Sequence, residues 1–513
     1  MPKPARLVEN IFDMLKARAL KVFIVVFWLV TTGLTIHQEV SRAREAKQAP
    51  ITAEDLSKTD EVWLGIYFKP SPQASDKDLV KVGYSKLSRE PLKDGWRYEE
   101  RTRMKMNLMG KKRIVQTHTR ATVDKSGRLK FFDFEMRSGP VQLLMWGQVR
   151  NNKLEVKIET GGSTQTLNIP FKDTPRIPLN LLEDIDLKSL KPGQTIVREV
   201  FDPTTMGLAE AKIIFLGTEP YRIGDKTITA YKFRQNILGV DVTSWLDENM
   251  ITLREEAANL VTRRESAKYA VSEGWKKEDI DLIVFNAVVT KVNIPKPRHV
   301  KRMTIEVSGV DLSEFSIPDW RQKLTGSNTI EITRERTDDI KPFALGDQKA
   351  TANFAEYLKP TSLIQSDHPT IRLRAKKIVG DRADALIAAK AINEWVYKNL
   401  EKEITVSIPS AVEVLELMRG DCNEHATLAT ALLRAAGIPA KILAGLVYQD
   451  GAFYYHAWVA AYVGKWIAMD PTFGLFPADA ARIKLTEGDL SQMVKILQAV
   501  GRINIEVKEY ESD

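Results

Sequence analysis

The sequence predicts an α+β protein in which a helix bearing the chain's only cysteine packs on an antiparallel sheet near the C-terminus. An Ala/Leu-rich helical pattern at residues 426–436 is followed at once by strand-like runs. Residues 62–255 alternate apolar and polar positions with a period of two, which predicts a mainly antiparallel β domain before that core. An apolar run at residues 22–36 follows a basic leader and predicts an N-terminal membrane helix.

The N-terminal run favours a signal anchor over a cleaved signal peptide. Its 15 residues are few for a spanning helix, which needs about 17–25, but the basic leader before it is long for a cleaved signal. The leader holds the N-terminus in the cytoplasm, so we expect the bulk of the chain to be extracytoplasmic, in the periplasm or on the cell surface. Residues 1–40 are the expected leader and anchor, and residues 41–61 a linker.

Composition limits the possible partners and cofactors. The 513 residues, 43% hydrophobic and 28% charged, suffice for several domains. The formal charge of +8 is spread along the chain without a basic run that contains aromatics, so we expect no nucleic acid and instead a surface near a membrane or cell wall. We expect no cofactor and no metal, because neither a phosphate-binding glycine loop nor metal-ligand spacing among the six histidines is present.

The β domain at residues 62–255 reads as an antiparallel meander in one or two sheets. Its strand order is similar to the curved sheets of periplasmic lipid-carrier domains. Residues 256–350 are expected to be a connecting mixed α/β segment, with helix formers at residues 257–270 that predict a helical connection. Residues 351–513 form the expected C-terminal domain, and its two helices at residues 369–379 and 382–400 lead toward the cysteine.

The position of Cys422 suits a nucleophile. Asp421 followed three residues later by Glu424 predicts a capping box, with Cys422 as the first helical residue. A thiol there lies beside unpaired N–H groups and the positive end of the helix dipole. This environment favours the thiolate and leaves donors for an oxyanion.

Two further reactive side chains follow on adjacent strands. His456 lies in the strand-like run 453–463, and Asp470 ends the run 466–469. A thiolate attacks a carbonyl, an imidazole exchanges protons with the thiol and the leaving amine, and a carboxylate fixes the imidazole tautomer.

Four ordered motifs carry a family resemblance. They are Gly420-Asp-Cys-Asn-Glu-His-Ala426, Arg434-Ala-Ala-Gly-Ile-Pro-Ala440, His456-Ala-Trp458 and Trp466-Ile-Ala-Met-Asp470-Pro-Thr472. Together they resemble the transglutaminase-like core of the papain-type cysteine enzymes. The resemblance implies a papain-like catalytic domain at residues 351–513, with Cys422 as nucleophile, His456 as general base and acid, and Asp470 as its orienting partner.

The same residue types also fit roles without chemistry. A lone cysteine is usually a small buried hydrophobe. His425 competes with His456 for the base role, but its helix would hold it beside the thiol's own turn, which favours a packing role. Trp458 and Trp466 are expected in the core rather than on a substrate platform.

The expected activity is acyl transfer or hydrolysis at protein or peptide amide bonds through a thioester. A cysteine peptidase acting on wall or periplasmic peptides is one alternative, and a non-enzymatic binding or scaffold protein is another. Family members often carry an aromatic residue shortly after the helix around Trp395, where this chain has Glu401-Lys-Glu403, so we expect the substrate groove to differ.

The register of the last hairpin decides whether Asp470 can reach His456. A two-residue turn would place the carboxylate on the opposite face of the sheet, because strand side chains alternate. A three-residue loop at 463–465 instead pairs Tyr462 with Trp466 and sets Asp470 diagonal to His456. We therefore predict this three-residue loop, or an equivalent bulge, and a His456–Asp470 hydrogen bond of roughly 2.6–3.2 Å.

Overall fold

A computed structural model describes most of the chain beyond the predicted linker. It covers residues 51–513 except 52–54, 56–57, 72, 140, 161–162, 183, 224–225, 238, 273–280, 405–407, 409, 489–495 and 497–498. The predicted leader and anchor, residues 1–40, lie outside the described residues. The sequence also predicts a last helix at residues 488–499, and most of it lies outside the described residues too. In the part of the chain that is described, no helix combines the length and the apolar character needed to cross a membrane.

Fourteen of the strands in the described residues form one antiparallel sheet. These strands are β1 (Glu61–Phe68), β2 (Val80–Leu92), β3 (Gly95–Leu108), β4 (Lys111–Val123), β5 (Leu129–Ser138), β6 (Val141–Arg150), β7 (Lys153–Thr160), β8 (Ser163–Pro170), β9 (Thr195–Asp202), β10 (Gly207–Ile223), β11 (Lys226–Ile237), β12 (Val240–Leu246), β13 (Thr252–Ala257) and β14 (Leu260–Glu265). Two meanders, β1–β8 and β9–β14, are joined where β1 pairs with β14.

Alternation along each strand gives the sheet a buried face. In β5 the side chains of Phe132, Phe134 and Met136 are buried. The Phe132 ring lies 5.0 Å from the ring of Phe201 on β9, although four strands of the first meander and β10–β14 separate them in the sheet order. The sheet therefore curls so that its two halves share a core.

The helical connection expected at residues 257–270 was wrong over most of its length. The chain instead forms the hairpin β13–β14, with Ala258 at a φ of 49° in the turn, and only Ala267–Ala270 is helical. Long-range pairing outweighs the local helix propensity, because β14 fills the position beside β1. Glu265 at its end is tied there by an ion pair of 2.6 Å to Lys81.

A smaller sheet links the middle of the chain to its end. The elements here are α1 (Ala267–Ala270), α2 (Leu282–Phe285), β15 (Val288–Val289), β16 (Val300–Ser308), β17 (Gln322–Leu324), β18 (Thr329–Thr333) and β25 (Asn504–Ser512). Short 3₁₀ turns occur at Pro178–Asn180, Pro297–His299, Leu312–Glu314 and Ala352–Leu358. The sheet order β17-β18-β16-β25 brings the C-terminal strand against β16.

The C-terminal domain has the predicted α+β architecture. Its elements are α3 (Gln348–Thr351), α4 (Pro369–Val379), α5 (Ala385–Asn399), β19 (Glu401–Lys402), α6 (Ala411–Leu417), β20 (Arg419–Gly420), α7 (Cys422–Ala435), β21 (Ala440–Gln449), β22 (Ala452–Tyr462), β23 (Trp466–Met469) and β24 (Arg482–Gly488). Strands β15, β22, β21 and β24 pair in that order, with β23 on β22. Helix α7 packs on this sheet through the fully buried Ala426, Ala429 and Leu433, which are the stripe expected from their spacing.

Candidate active site

The predicted capping box places Cys422 at the first position of α7. Asp421 is the N-cap, and its Oδ1 accepts the Asn423 N–H at 2.8 Å. Glu424 Oε2 in turn accepts the Asp421 N–H at 2.8 Å. Gly420 leaves room for that carboxylate, since a Cβ at this position would lie 2.2 Å from the Glu424 Cβ. The sequence thus fixes both the start of the helix and the place of the thiol.

The expectation of a thiolate at Cys422 was wrong for the resting site. Burial raises the pKa of the Cys422 thiol well above its ordinary range, and the neighbouring Asp421 carboxylate raises it further. A backbone hydrogen bond from Ala457 lowers the pKa only in part. The side chain that caps the helix is itself an anion, and together with burial it outweighs the helix dipole.

Cys422 and His456 are brought to neighbouring positions by the packing of α7 on β22. The Ala457 N–H that faces the Cys422 sulfur belongs to the residue directly after His456. His456 itself is 8% exposed.

The predicted hairpin register is confirmed. Tyr462 pairs with Trp466, and the Val463 N–H donates to the Lys465 carbonyl at 3.0 Å, which closes a three-residue loop. His456 Nε2 lies 2.7 Å from Asp470 Oδ2, within the predicted range. Because a carboxylate only accepts, the neutral imidazole donates from Nε2 and keeps its lone pair on Nδ1.

Asp470 is completely buried and remains ionised. Its Oδ1 accepts the N–H groups of Thr472 at 2.8 Å and Phe473 at 3.1 Å. Arg482 Nη1 lies 2.9 Å from Oδ2. Burial alone would raise the pKa of the carboxyl, but Arg482 and His456 overcome it and hold the pKa below its usual range.

The imidazole of His456 is neutral at rest. Burial lowers its pKa, Asp470 opposes this, and the positive charges of Arg482 and Arg298 lower it again. The neutral imidazole therefore keeps a free Nδ1 that can act as a base.

His425 and the two tryptophans occupy the positions expected of packing residues. His425 is fully buried, and its Nδ1 donates to the Asp421 carbonyl of its own helix at 2.6 Å. Trp458 is 1% exposed with its ring 6.1 Å from that of His456. Trp466 stacks on Trp320 at 5.9 Å in an aromatic cluster. Among the described residues there is no group of three or more His, Cys, Asp or Glu side chains arranged to hold a metal ion.

Three residues around the site were not found from the sequence. Phe473 is 37% exposed, with its ring 5.3 Å from the His456 ring. The Arg298 guanidinium lies 4.5 Å from the Phe473 ring centre, and Arg482 lies 5.3 Å from it. The one available signal was the alternation of Ile483 and Leu485, which predicts a strand beyond Asp470 but not that Arg482 on it is buried.

Comparison with protein families matches the region that contains this geometry. Residues 372–471 match the model of the transglutaminase-like superfamily. The chain carries a transglutaminase-like domain. The matched range includes Cys422, His456 and Asp470 and ends just before Phe473, while Arg298 and Arg482 lie outside it.

Two curated proteins that are similar to parts of this chain are themselves uncharacterised. A protein of Haemophilus influenzae is 30% identical over 121 residues, which are 21% of this chain and 32% of that protein. A protein of Mycobacterium leprae is 24% identical over 209 residues, which are 37% of this chain and 71% of that one. The chain thus matches about a third of the length of the first relative.

Two solved structures are similar to parts of the chain. A proposed cysteine protease from Cytophaga hutchinsonii is 18% identical with a TM-score of 0.30, covering 42% of this chain and 86% of that one. A β-barrel-like protein of unknown function from Brucella abortus is 13% identical with a TM-score of 0.31, covering 40% and 94%.

Proposed function

We propose that this chain is a cysteine-dependent enzyme that transfers or hydrolyses acyl groups at protein or peptide amide bonds. Cys422 is the nucleophile, His456 the general base and acid, and Asp470 the residue that orients the imidazole. The observation that carries the proposal is the buried His456–Asp470 hydrogen bond of 2.7 Å beside the helix that begins with the chain's only cysteine. The match to the transglutaminase-like superfamily supports it.

The first half of the reaction starts from the neutral pair. His456 Nδ1 takes the thiol proton as the Cys422 sulfur attacks the amide carbonyl carbon. N–H groups of the first turn of α7 stabilise the oxyanion, since they point toward the helix N-terminus. The C–N bond then breaks, the amine leaves with the proton from His456, and a thioester remains on Cys422.

The second half depends on the acceptor. Water gives hydrolysis or deamidation, and a lysine amine gives transamidation, with His456 removing the proton from either one as it attacks the thioester. A cysteine peptidase shares the first half and releases a peptide amine. If the chain were a non-enzymatic scaffold protein, no thioester would form on Cys422.

Mass spectrometry of peptides incubated with the full-length chain tests the proposal and separates these outcomes. Peptides containing glutamine and lysine are incubated with and without an added primary amine, and the mass change identifies deamidation, transamidation or cleavage. We expect Cys422→Ala to abolish every product and the alkylation by iodoacetamide. Lys390→Met, a change at an exposed side chain of α5, is the control and should keep both. Product formation by Cys422→Ala would overturn the proposal.

A further inference from the structure

We propose that Arg482 is a positioning residue, which fixes the Asp470 carboxylate against His456 and is itself held by Asp479 and Arg298. This inference rests on the proposed function of the same site. It concerns residues outside the range that matches the transglutaminase-like superfamily, so it adds to the Cys422, His456 and Asp470 set a support built by other parts of this chain.

The contact between Arg482 and Asp470 is direct and dry. Both side chains are completely buried, and Arg482 Nη1 lies 2.9 Å from Asp470 Oδ2. The same oxygen accepts the His456 Nε2 hydrogen at 2.7 Å. The approach of Nη1 is that of an ion pair rather than an aligned hydrogen bond, because Nη1 has no hydrogen-bond partner among the described residues. One carboxylate oxygen thus lies between an arginine and the imidazole.

The two oxygens of the Asp470 carboxylate have different partners. Asp470 Oδ1 is already engaged by the N–H groups of Thr472 and Phe473. Only Oδ2 remains for the imidazole, and the position of Arg482 sets where that oxygen points.

Arg482 is anchored from its far side. Its Nη2 donates to Asp479 Oδ2 at 3.0 Å, and that oxygen also accepts Arg298 Nη1 at 2.9 Å. Arg298 is fixed in turn, because its Nη2 donates to the Tyr448 carbonyl at 2.6 Å. Charges alternate in sign from Arg298 through Asp479 and Arg482 to Asp470, so the buried row is neutral while His456 is neutral.

The positive charges of this row act on the protonation of His456. The positive charge of Arg482 competes with His456 for the Asp470 carboxylate and so disfavours the imidazolium. The charged groups that bear on His456 are Asp470 on the loop after β23, Arg482 on β24 and Arg298 on the 3₁₀ turn before β16. The Cys422 thiol on α7 lies against the N–H of the next residue, Ala457. The pKa of His456 is lowered, which agrees with the arrangement.

Three variants distinguish positioning from a merely structural ion pair. Arg482→Met removes the positive charge. Arg482→Lys keeps a positive charge, but its single nitrogen cannot contact Asp470 and Asp479 at once. Lys484→Met is the matched control. Lys484 lies on the same strand, is equally buried, and pairs with Asp319 at 3.0 Å rather than with Asp470.

The readouts are kcat/KM for peptide turnover and the rate of Cys422 alkylation by iodoacetamide, each followed against pH. For Arg482→Met we expect kcat to fall about 10²-fold through misplacement of the imidazole, with KM unchanged. For this variant the acidic limb should move to higher pH both in the kcat/KM profile and in the alkylation profile, because loss of a positive charge raises the pKa of His456. Arg482→Lys should keep the limb of the wild type and lose part of kcat. Lys484→Met should lower the melting temperature and leave both profiles unmoved.

The inference is overturned if folded Arg482→Met keeps the wild-type pH profiles, or if Lys484→Met shifts them equally. Should Arg482→Met fail to fold, Arg482→Lys decides, since wild-type kcat in that variant would exclude a positioning role. Failure of the proposed function gives a different result from failure of this inference. In that case the wild type forms no peptide product at any pH, while its alkylation profile still reports on Arg482.

Discussion

The two oxygens of Asp470 do different work. Oδ1 closes the turn after β23 by accepting the N–H groups of Thr472 and Phe473. Oδ2 faces His456 and Arg482. The residue therefore joins the shape of the loop to the chemistry of the imidazole.

Replacing Asp470 by Asn should separate these two functions. The amide oxygen can keep the turn, but its NH₂ group would face the donors of His456 and Arg482. The buried Arg482 would then lose one of its two carboxylate partners, at a cost of about 3–5 kcal/mol. Since the pKa of Asp470 is lowered in the folded protein, its contribution is complete above the unfolded value of about 3.9 and is lost as pH falls below it. We expect the difference in unfolding free energy between wild type and Asp470→Asn to be constant near neutral pH and to shrink below about pH 4.

Denaturant titrations at several pH values measure this difference. Asp338→Asn is the control, because its side chain is 64% exposed and should change stability little at any pH. A stability difference for Asp470→Asn that does not depend on pH would show that the carboxylate contributes through packing rather than charge.

Local motifs made some residues of the candidate site predictable from the sequence, and other residues around it carry no such motif. The capping pattern, the His-Ala-Trp and the Asp-Pro-Thr motifs named Cys422, His456 and Asp470 before any fold was known. Arg298 has no such motif and meets Asp479 across 181 residues of chain. A buried arginine is also indistinguishable in sequence from a surface one, so the charge balance that keeps the His456 imidazole neutral could not be foreseen.

At the scale of single elements, the start of α7 depends on one missing side chain. Glu424 folds back over Gly420 to accept the Asp421 N–H. Any Cβ at Gly420 would occupy the place of the Glu424 stem. The first turn of the helix, and with it the thiol, is therefore sensitive to this position.

Gly420→Ala should displace Glu424 and break half of the capping box. We expect a loss of about 0.5–2 kcal/mol in unfolding free energy and a change in the alkylation rate of Cys422. Gly326→Ala provides the comparison, because a Cβ there would come no closer than 3.9 Å to any neighbour. Equal stability of the two variants, with an unchanged alkylation rate, would contradict this role for Gly420.

Strands and loops were predictable from the sequence where the alternation of side chains between the two faces of a sheet fixed their register. The three-residue loop between β22 and β23 followed from the need to keep Asp470 on the face of His456. The strand β14 was missed because residues 257–270 are rich in helix formers, and its true partner β1 lies at the far end of the domain.

Across the whole molecule, the β domain forms polar contacts with the segment that leads to Cys422. Thr160 on β7 donates to Glu413 Oε2 at 3.0 Å, and Arg113 on β4 contacts Glu403. The Glu403 N–H in turn donates at 3.1 Å to the carbonyl of Gly420, two residues before Cys422. The two parts of the chain thus share polar contacts within reach of the site.

Thr160→Val should weaken this connection. It leaves the buried Glu413 carboxyl without its hydroxyl donor, and we expect a loss of about 1–3 kcal/mol, measured as a lower denaturation midpoint. Thr164→Val on the neighbouring strand, where the side chain is exposed, should be nearly neutral. Indistinguishable midpoints for the two variants would mean that the bond to Glu413 adds nothing to stability.

The pairing of β1 with β14 also means that one strand of the pair is translated long before the other. Tyr67 and Glu265, which touch across this pair, are 198 residues apart. At about 5–20 residues per second, β1 is made roughly 10–40 s before the strand that covers its second edge exists. During that interval one edge of β1 stays open to pairing with other chains. The nascent protein therefore carries this open edge before its candidate active site has been translated.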